Sequence, residues 1–468
     1  MIMEKISEYL NDKAWARWTV LVLVCTFIFA AYMYESGVAP LQSLLEATKG
    51  WTPDIYGTFS GGEFILNVLG FLVVAGIILD KFGIRYTGTI GGILMTLGGL
   101  IQWYAVGDAF EGSALQGWLD SWWTAFPGSA KLGTLGFMFF GCGIEMSGTT
   151  VQKTVAKWFK GKELALAMAI RFSMTRVGVF CAFSLSPAIA LKHGNLSAAP
   201  SLLFFVFFLI IGLVAFIAFD FFDAKLDRQR GSASEDEKEE PFHARDILKV
   251  FSSKVFWTVA MFCCFYFSSV LPFQRFATQM LQSNLGVNPS VAAGISRWFP
   301  MFAALMTPIF GTLLDRKGRG ATMLIIGSVI MICCNLVFAF LPYFPYAAIA
   351  YVAICMLGVS FSLIGAALWP SVPKITSEKT LGSTFCLIYW IQNIGLCLFP
   401  MLIGWVLRIT NPGISEAIAQ GVEGARYNYM VPMLIFAACG VMTTIFSCRL
   451  RRMDRIHDYG IEKPNIRK

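Results

Sequence analysis

Gly76-Ile-Ile-Leu-Asp80-Lys-Phe-Gly83-Ile-Arg85 is answered further along the chain by Gly311-Thr-Leu-Leu-Asp315-Arg-Lys-Gly318-Arg319. Both stretches follow G-x-x-x-D-[KR]-x-G, and 315 − 80 = 235 residues separate the two Asp. Each stretch closes an apolar run of the length that crosses a bilayer, which takes about 20 residues. A motif that returns at a fixed offset after an equivalent apolar run marks an internal repeat. The chain therefore reads as one unit written twice.

Working outward from the two motifs, apolar runs fall at 16–40, 56–80, 86–106, 131–156, 163–190 and 201–222, and again at 251–280, 289–315, 320–341, 345–371, 379–407 and 428–450. The fold expected is an all-α membrane protein with twelve transmembrane helices. Its units are residues 1–222 as a first six-helix half, 223–250 as a linker, 251–450 as a second six-helix half and 451–468 as a tail. The linker carries Lys225, Arg228 and Arg230, then the acidic run Glu235 to Glu240, as a solvated segment does.

Composition agrees. Of 468 residues 56% are hydrophobic and only 14% charged, with a mean hydropathy of +0.64; a soluble chain carries about 25% charged residues. The net charge of +8 comes from Lys and Arg clustered beside the spans, which argues for topology signals and against a nucleic-acid partner. The 12 Cys show no metal-ligand spacing and read as small buried hydrophobes. No cofactor motif, nucleotide loop or Ser/His/Asp set is present, and the three His (His193, His243, His457) lie outside the spans, so no enzyme is expected. The first apolar run is too long for a cleavable signal peptide and lacks a small-residue cleavage site.

Basic residues mark one side of the membrane. Lys5, Lys13, Arg17, Lys81, Arg85, Lys157, Lys160, Lys162, Arg316, Lys317, Arg319, Lys374, Lys379 and Arg449 to Arg455 fall on it, and only Lys49, Lys131, Lys192, Arg408 and Arg426 lie in the opposite short loops. Both termini and the linker are expected in the cytoplasm. The motif residues Asp80, Arg85, Asp315, Arg316 and Arg319 then sit at the inner ends of the second and eighth spans. There an Asp can pair with a cation of a neighbouring helix while that side is shut, which makes these residues a candidate gate. A tight basic turn is the plainer alternative.

Charges within spans are site candidates because lipid tolerates them only beside a partner or an aqueous cavity. Glu145 in the fourth span and Arg176 in the fifth both fall near mid-depth, on adjoining antiparallel helices. Together they could clamp a zwitterion, Arg176 on a carboxylate and Glu145 on an ammonium; a purely structural ion pair is the alternative. Glu35 and Arg275 are 275 − 35 = 240 apart, and Glu63 and Arg297 are 297 − 63 = 234 apart. The first half thus places Glu where the second places Arg, predicting charges of unlike sign facing each other in an outer gate or outer wall of the site. Trp369 and Tyr389 could cover a substrate and Gln392 and Asn393 could bond its backbone. Arg171 lies on another face of the fifth span, where it meets the inner gate or extends to the interface.

Two stretches narrow the resemblance. Trp158-Phe-Lys-Gly161-Lys162-Glu163-Leu continues to Ser173-Met-Thr-Arg176, and Ala367-Leu-Trp369-Pro370 continues to Gln392-Asn393-Ile-Gly395-Leu. With the duplicated motif they resemble the major facilitator superfamily, in the branch that holds the animal lysosomal dipeptide uniporter. The resemblance implies two parallel six-helix halves, alternating access and a small peptide held by its charged termini, with Glu145 and Arg176 at the positions of the family's acidic–basic pair. The sequence departs at Arg171, where the family carries an uncharged residue, and at Glu35, where it has Asp.

Two other functions fit the residues. A proton-coupled carrier of small organic anions such as monocarboxylates or oxalate would use the excess of Arg, and a non-transporting membrane sensor would keep the fold alone. Compact loops and tails favour a bacterial inner membrane over a lysosome, and with it a monomer that needs no accessory subunit.

Overall fold

The computed structural model describes residues 9–191, 197–230, 250–376, 381–422 and 424–464. Among them the regular elements are all helical. Twelve are long: α1 (Ala14–Gly37), α2 (Pro53–Leu79), α3 (Lys81–Val106), α4 (Gly128–Phe159), α5 (Leu164–Ala190) and α6 (Ala199–Arg230), then α7 (Lys254–Leu285), α8 (Pro289–Lys317), α9 (Gly320–Phe340), α10 (Ala347–Ile375), α11 (Leu381–Thr410) and α12 (Met430–His457). Eleven crossings are long and apolar enough for a membrane. The twelfth, α4, has the length at 32 residues. Its glycines, hydroxyl residues and the charges of Lys131, Glu145 and Lys153 dilute its hydropathy. Such a helix is stable in lipid only with its polar face turned to protein or a cavity. The chain is an integral membrane protein.

The packing repeats as the sequence does. In the first half α1 packs on α5 and α6, α3 on α4 and α6, and α2 on α4. In the second, α7 packs on α11 and α12, α9 on α10 and α12, and α8 on α10. The halves meet along α2 with α11 and along α5 with α8, two seams that the repeat makes equivalent. The motif glycines sit at the reversals between α2 and α3 and between α8 and α9. Gly83 has φ +78° and Gly318 φ +70°, followed by Arg319 at +68°. A residue with a Cβ is strained there, which accounts for glycine at that place of both copies.

Two departures lie at the linker and the tail. Helix α6 continues past residue 222 to Arg230, and Asp223 and Asp227 use the added turns to bind Lys157 at 2.8 and 2.7 Å. Past α12 the chain folds back on the second motif. The buried Asp454 accepts from the N–H groups of Ile461 at 2.9 Å and Glu462 at 3.1 Å. The Glu462 carboxylate accepts from the Thr322 N–H at 2.8 Å at the start of α9. Charge-assisted hydrogen bonds contribute about 1.5–3 kcal/mol. Asp454→Ala is therefore expected to speed amide exchange at Ile461 and Glu462 about tenfold or more, read by hydrogen–deuterium exchange of the purified protein. Unchanged exchange would show that the tail is held by other contacts.

Candidate functional site

The site lies where the two halves face each other, and it is layered along the bundle axis. The outermost layer is at the end remote from the chain termini, called here the far end. Arg408 of α11 pairs with Asp54 of α2 at 2.6 Å. Below it a short helix after α1, Gln42–Lys49, carries Glu46, whose buried carboxylate accepts from Gln279 of α7 at 2.6 Å and from the hydroxyl of Tyr427. Burial, reinforced by the neighbouring Glu46 charge, pushes the Tyr427 hydroxyl up, so it keeps its proton and acts as donor. Tyr429 donates to the Gln279 carbonyl oxygen at 2.5 Å, and Ser43 donates to Gln282 at 2.9 Å. Glu46, Gln279, Tyr427 and Tyr429 thus form one hydrogen-bonded chain that joins the halves in this layer.

One layer deeper stands a triad. Arg275 of α7 meets the Glu35 carboxylate of α1 at 2.9 Å and its backbone carbonyl at 2.5 Å, and meets Glu63 of α2 at 2.5 Å. Glu63 is 1% exposed and Arg275 9%. The Arg275 guanidinium also lies over the Phe137 ring at 5.3 Å, and its carbonyl accepts from Tyr56. The similar offsets of 240 and 234 predict Glu63 opposite Arg297, and the structure corrects this. Glu63 shares Arg275 with Glu35, whereas Arg297 lies against Phe180 of α5 at 5.7 Å. The cause is the symmetry itself: α2 and α8 are equivalent, so they occupy opposite seams, α2 against α11 and α8 against α5. Of these two symmetry-related sets, α1 and α7 bring the equivalent positions Glu35 and Arg275 face to face.

At mid-depth the two candidate clamp residues do not form an ion pair with each other or with another described residue. Glu145 of α4 sits beside the Asn393 amide of α11. Arg176 of α5 lies over Phe361 of α10 at 4.7 Å and near Tyr32 of α1 at 5.8 Å. Tyr32 thus lies next to Arg176 and, on its own helix, one turn before Glu35 of the triad. The glycines beside Glu145 serve packing on one face: a Cβ on Gly141 would meet the Glu63 carbonyl at 1.9 Å, whereas Gly148 faces open space. On the other half Trp369 stacks on Tyr389 at 5.0 Å and on Phe267 at 6.0 Å and meets Phe385 tilted at 6.2 Å, making an aromatic wall. The Gln392 and Asn393 side-chain carbonyl oxygens are buried without a partner among the described residues. Helix α2 has a π-helical segment at Asn67–Phe71, and Trp390 donates to the Val68 carbonyl there at 3.0 Å. Such segments leave a carbonyl free for a partner.

Toward the termini the described ion pairs of Arg85 stay within its half. Arg85 pairs with Asp227 at 3.3 Å and Asp223 at 3.9 Å, both on α6. The Asp315 charge acts on Lys374, and Arg316 and Arg319 are exposed. The side chain of Asp80 lies outside the described residues. Sequence reasoning missed Tyr32, one turn before Glu35 on the same face of α1, and Glu46, which was taken to lie beyond the first span.

This is a carrier architecture, two equivalent six-helix halves with polar groups between them. The sequence model of the Major Facilitator Superfamily matches residues 23–400, and the chain belongs to that family of transporters. It is similar to the lysosomal dipeptide transporter MFSD1 of Bos taurus, 25% identical over 413 residues that cover 84% of this chain and 79% of the relative. The Mus musculus protein of the same name is 27% identical over 409 residues, covering 84% and 80%. Among solved structures, a bacterial homolog to human lysosomal transporter Spinster, inward-facing and unoccupied, superposes with a TM-score of 0.67 at 14% identity, over 93% of this chain and 98% of that one. The D-xylose-proton symporter superposes with 0.67 at 13% identity, over 94% and 98%. These two likenesses are of fold alone.

Proposed function

We propose that the chain carries dipeptides or similar small zwitterions by alternating access, with Arg176 taking the substrate carboxylate and Glu145 its ammonium. One observation carries the reading: Arg176 of α5 stands between Tyr32 and Phe361 of the two halves, Glu145 of the adjoining α4 reaches Asn393 of the other half, and neither charge is paired with a described ionisable group. A charge held in this way in a membrane protein is stabilised by the ligand that completes it. Asn393 orients Glu145, the unpartnered Gln392 and Asn393 carbonyl oxygens await donors, and the Trp369–Tyr389 wall covers apolar side chains. The dipeptide-transporter relatives support the substrate class. Termini and linker are cytoplasmic on the basic-residue pattern, so the far end is the outer side. The Arg275 triad and the Glu46 layer are then a shut outer gate, and the motif residues Asp80, Arg85, Asp315, Arg316 and Arg319 form the inner gate that closes in the next step. The compact loops favour a bacterial inner membrane and a carrier that works as a monomer without an accessory subunit.

The test is thermal stabilisation of the purified full chain by Ala-Ala and by acetate, lactate and oxalate, in the wild type and in Arg176→Ala. Stabilisation by Ala-Ala is expected, with affinity reduced roughly ten- to hundredfold in the variant, the equivalent of about 1.5–3 kcal/mol. Stabilisation by the carboxylates alone would replace the peptide reading with an organic-anion carrier, which the excess of Arg (Arg171, Arg176, Arg275, Arg297) also favours. Stabilisation by Ala-Ala without uptake into proteoliposomes would favour a sensor.

A further inference from the structure

Arg171 is a second cation of this cavity, and the clamp does not use it. It is 6% exposed, and its Nη2 donates to the Gly148 carbonyl of α4 at 2.9 Å. Its guanidinium lies at 4.8 Å from the ring of Phe172. Its Nε is buried without a hydrogen-bond partner among the described residues. Among the described residues, the titratable groups whose charges act on it are Tyr32 and Cys25 of α1 and Tyr389 of α11, with no carboxylate among them. One carbonyl and an aromatic face do not offset the cost of desolvating a guanidinium, which is several kcal/mol for an unpaired ion. An Arg cannot shed its proton to escape that cost.

Gly148 places the group. It lies three residues, about one helical turn, past Glu145 on α4. Arg171 therefore stands about one turn from the acid of the clamp. On α5 it precedes Arg176 by five residues, about 7.5 Å along the axis toward the termini. That offset suits the reach of a side chain from a substrate whose main-chain carboxylate is on Arg176.

We propose that Arg171 is a specificity-determining residue that takes a second carboxylate of the substrate, so that the carrier prefers dipeptides with an Asp or Glu side chain over neutral or cationic ones. As stated for peptides this rests on the proposed dipeptide function; the second anion subsite itself does not.

The test compares Ala-Glu, Ala-Asp, Ala-Ala and Ala-Lys, together with succinate and acetate, as stabilisers of the purified full chain. The proteins are wild type, Arg171→Gln and Arg171→Lys. Wild type should bind Ala-Glu roughly tenfold tighter than Ala-Ala, as a forked charge-assisted pair allows. Arg171→Gln should erase that ratio by lowering Ala-Glu affinity about tenfold more than that for Ala-Ala, and Arg171→Lys, which keeps the charge and loses the fork, should retain part of it. Equal binding of Ala-Glu and Ala-Ala by wild type, or a ratio that survives Arg171→Gln, overturns the proposal. Should Arg171→Gln not fold, the lysine variant decides, and an undiminished ratio there overturns it as well. If no dipeptide binds but succinate exceeds acetate in an Arg171-dependent way, the dipeptide function fails and the anion subsite stands. If neither class gains from its second carboxylate, the subsite fails whether or not Ala-Ala binds.

Discussion

Arg275→Ala is expected to depopulate the conformation closed at the far end by roughly two to three orders of magnitude. The guanidinium is the only cation paired with Glu35 and Glu63 among the described residues, and its removal leaves two buried carboxylates facing each other. Breaking a buried pair by deleting one partner costs about 3–5 kcal/mol, because the remaining charge stays desolvated; at 1.4 kcal/mol per decade this gives the stated shift. The cost falls on one conformation alone, since α1, α2 and α7 share the triad only while the far ends touch. A conformational equilibrium moves by the difference in free energy between its states. Spin labels on Ala47 and Gln420, both exposed beside the far-end seam, would report it by electron–electron resonance distances. The background should lack the exposed Cys333, Cys386 and Cys448. Short distances in wild type should give way to long ones in the variant. Adding Glu35→Gln and Glu63→Gln removes the uncompensated charges and should restore much of the short population. A variant that keeps the short distances would mean that the Glu46 layer and the helix seam hold the far end without the triad.

The parts of this molecule that lie along the chain were legible in it, and the parts that arise between distant segments were legible only where symmetry helped. The motif around Asp80 and Asp315 exposed the repeat because a tight reversal requires glycine at the same place twice, and the twelve runs followed from lipid as solvent. Glu35 and Arg275 were matched because α1 and α7 face each other across the centre. The same arithmetic failed for Glu63 and Arg297, since a two-fold axis sends α2 and α8 to opposite seams. Glu145 and Arg176 were found by depth alone, but their company was not: depth says nothing of the Asn393 amide or the Phe361 ring. Glu46 was hidden by hydropathy, which ends the first span near residue 40 although the chain stays helical to Lys49. The Asp454 and Glu462 contacts depend on a tail folding back 7 and 8 residues beyond Asp454, then onto α9 140 residues away in sequence, and no local pattern announces that.

Gly61→Val should open the same seam without touching a charge. Gly57 and Gly61 lie one turn apart on the face of α2 that meets α11, the small-x-x-x-small spacing that lets helices approach in membranes. A Cβ on Gly61 would stand 2.3 Å from the Cys397 carbonyl oxygen, and one on Gly57 2.3 Å from that of Pro400. Ordinary contact begins at 3.4 Å, so the helices must separate by about 3.4 − 2.3 = 1.1 Å for the β-carbon alone, and valine adds two methyl groups. The clash is with backbone, which no rotamer change can relieve, and overpacking of this kind costs about 1–3 kcal/mol. Parting the helices also strains the Trp390 to Val68 hydrogen bond and the Arg408–Asp54 pair on the same seam. The spin-label distances should therefore lengthen as they do for Arg275→Ala, with Gly61→Ala intermediate. Uptake into proteoliposomes should fall about tenfold, since each transport cycle passes through the state in which the far end is shut. The two variants separate on rescue. Glu35→Gln with Glu63→Gln should recover the arginine variant and leave Gly61→Val unchanged, because neutralising carboxylates makes no room for a side chain between α2 and α11. Recovery of both by the same pair of glutamines would mean that the seam yields to side chains and that charge alone sets the closure.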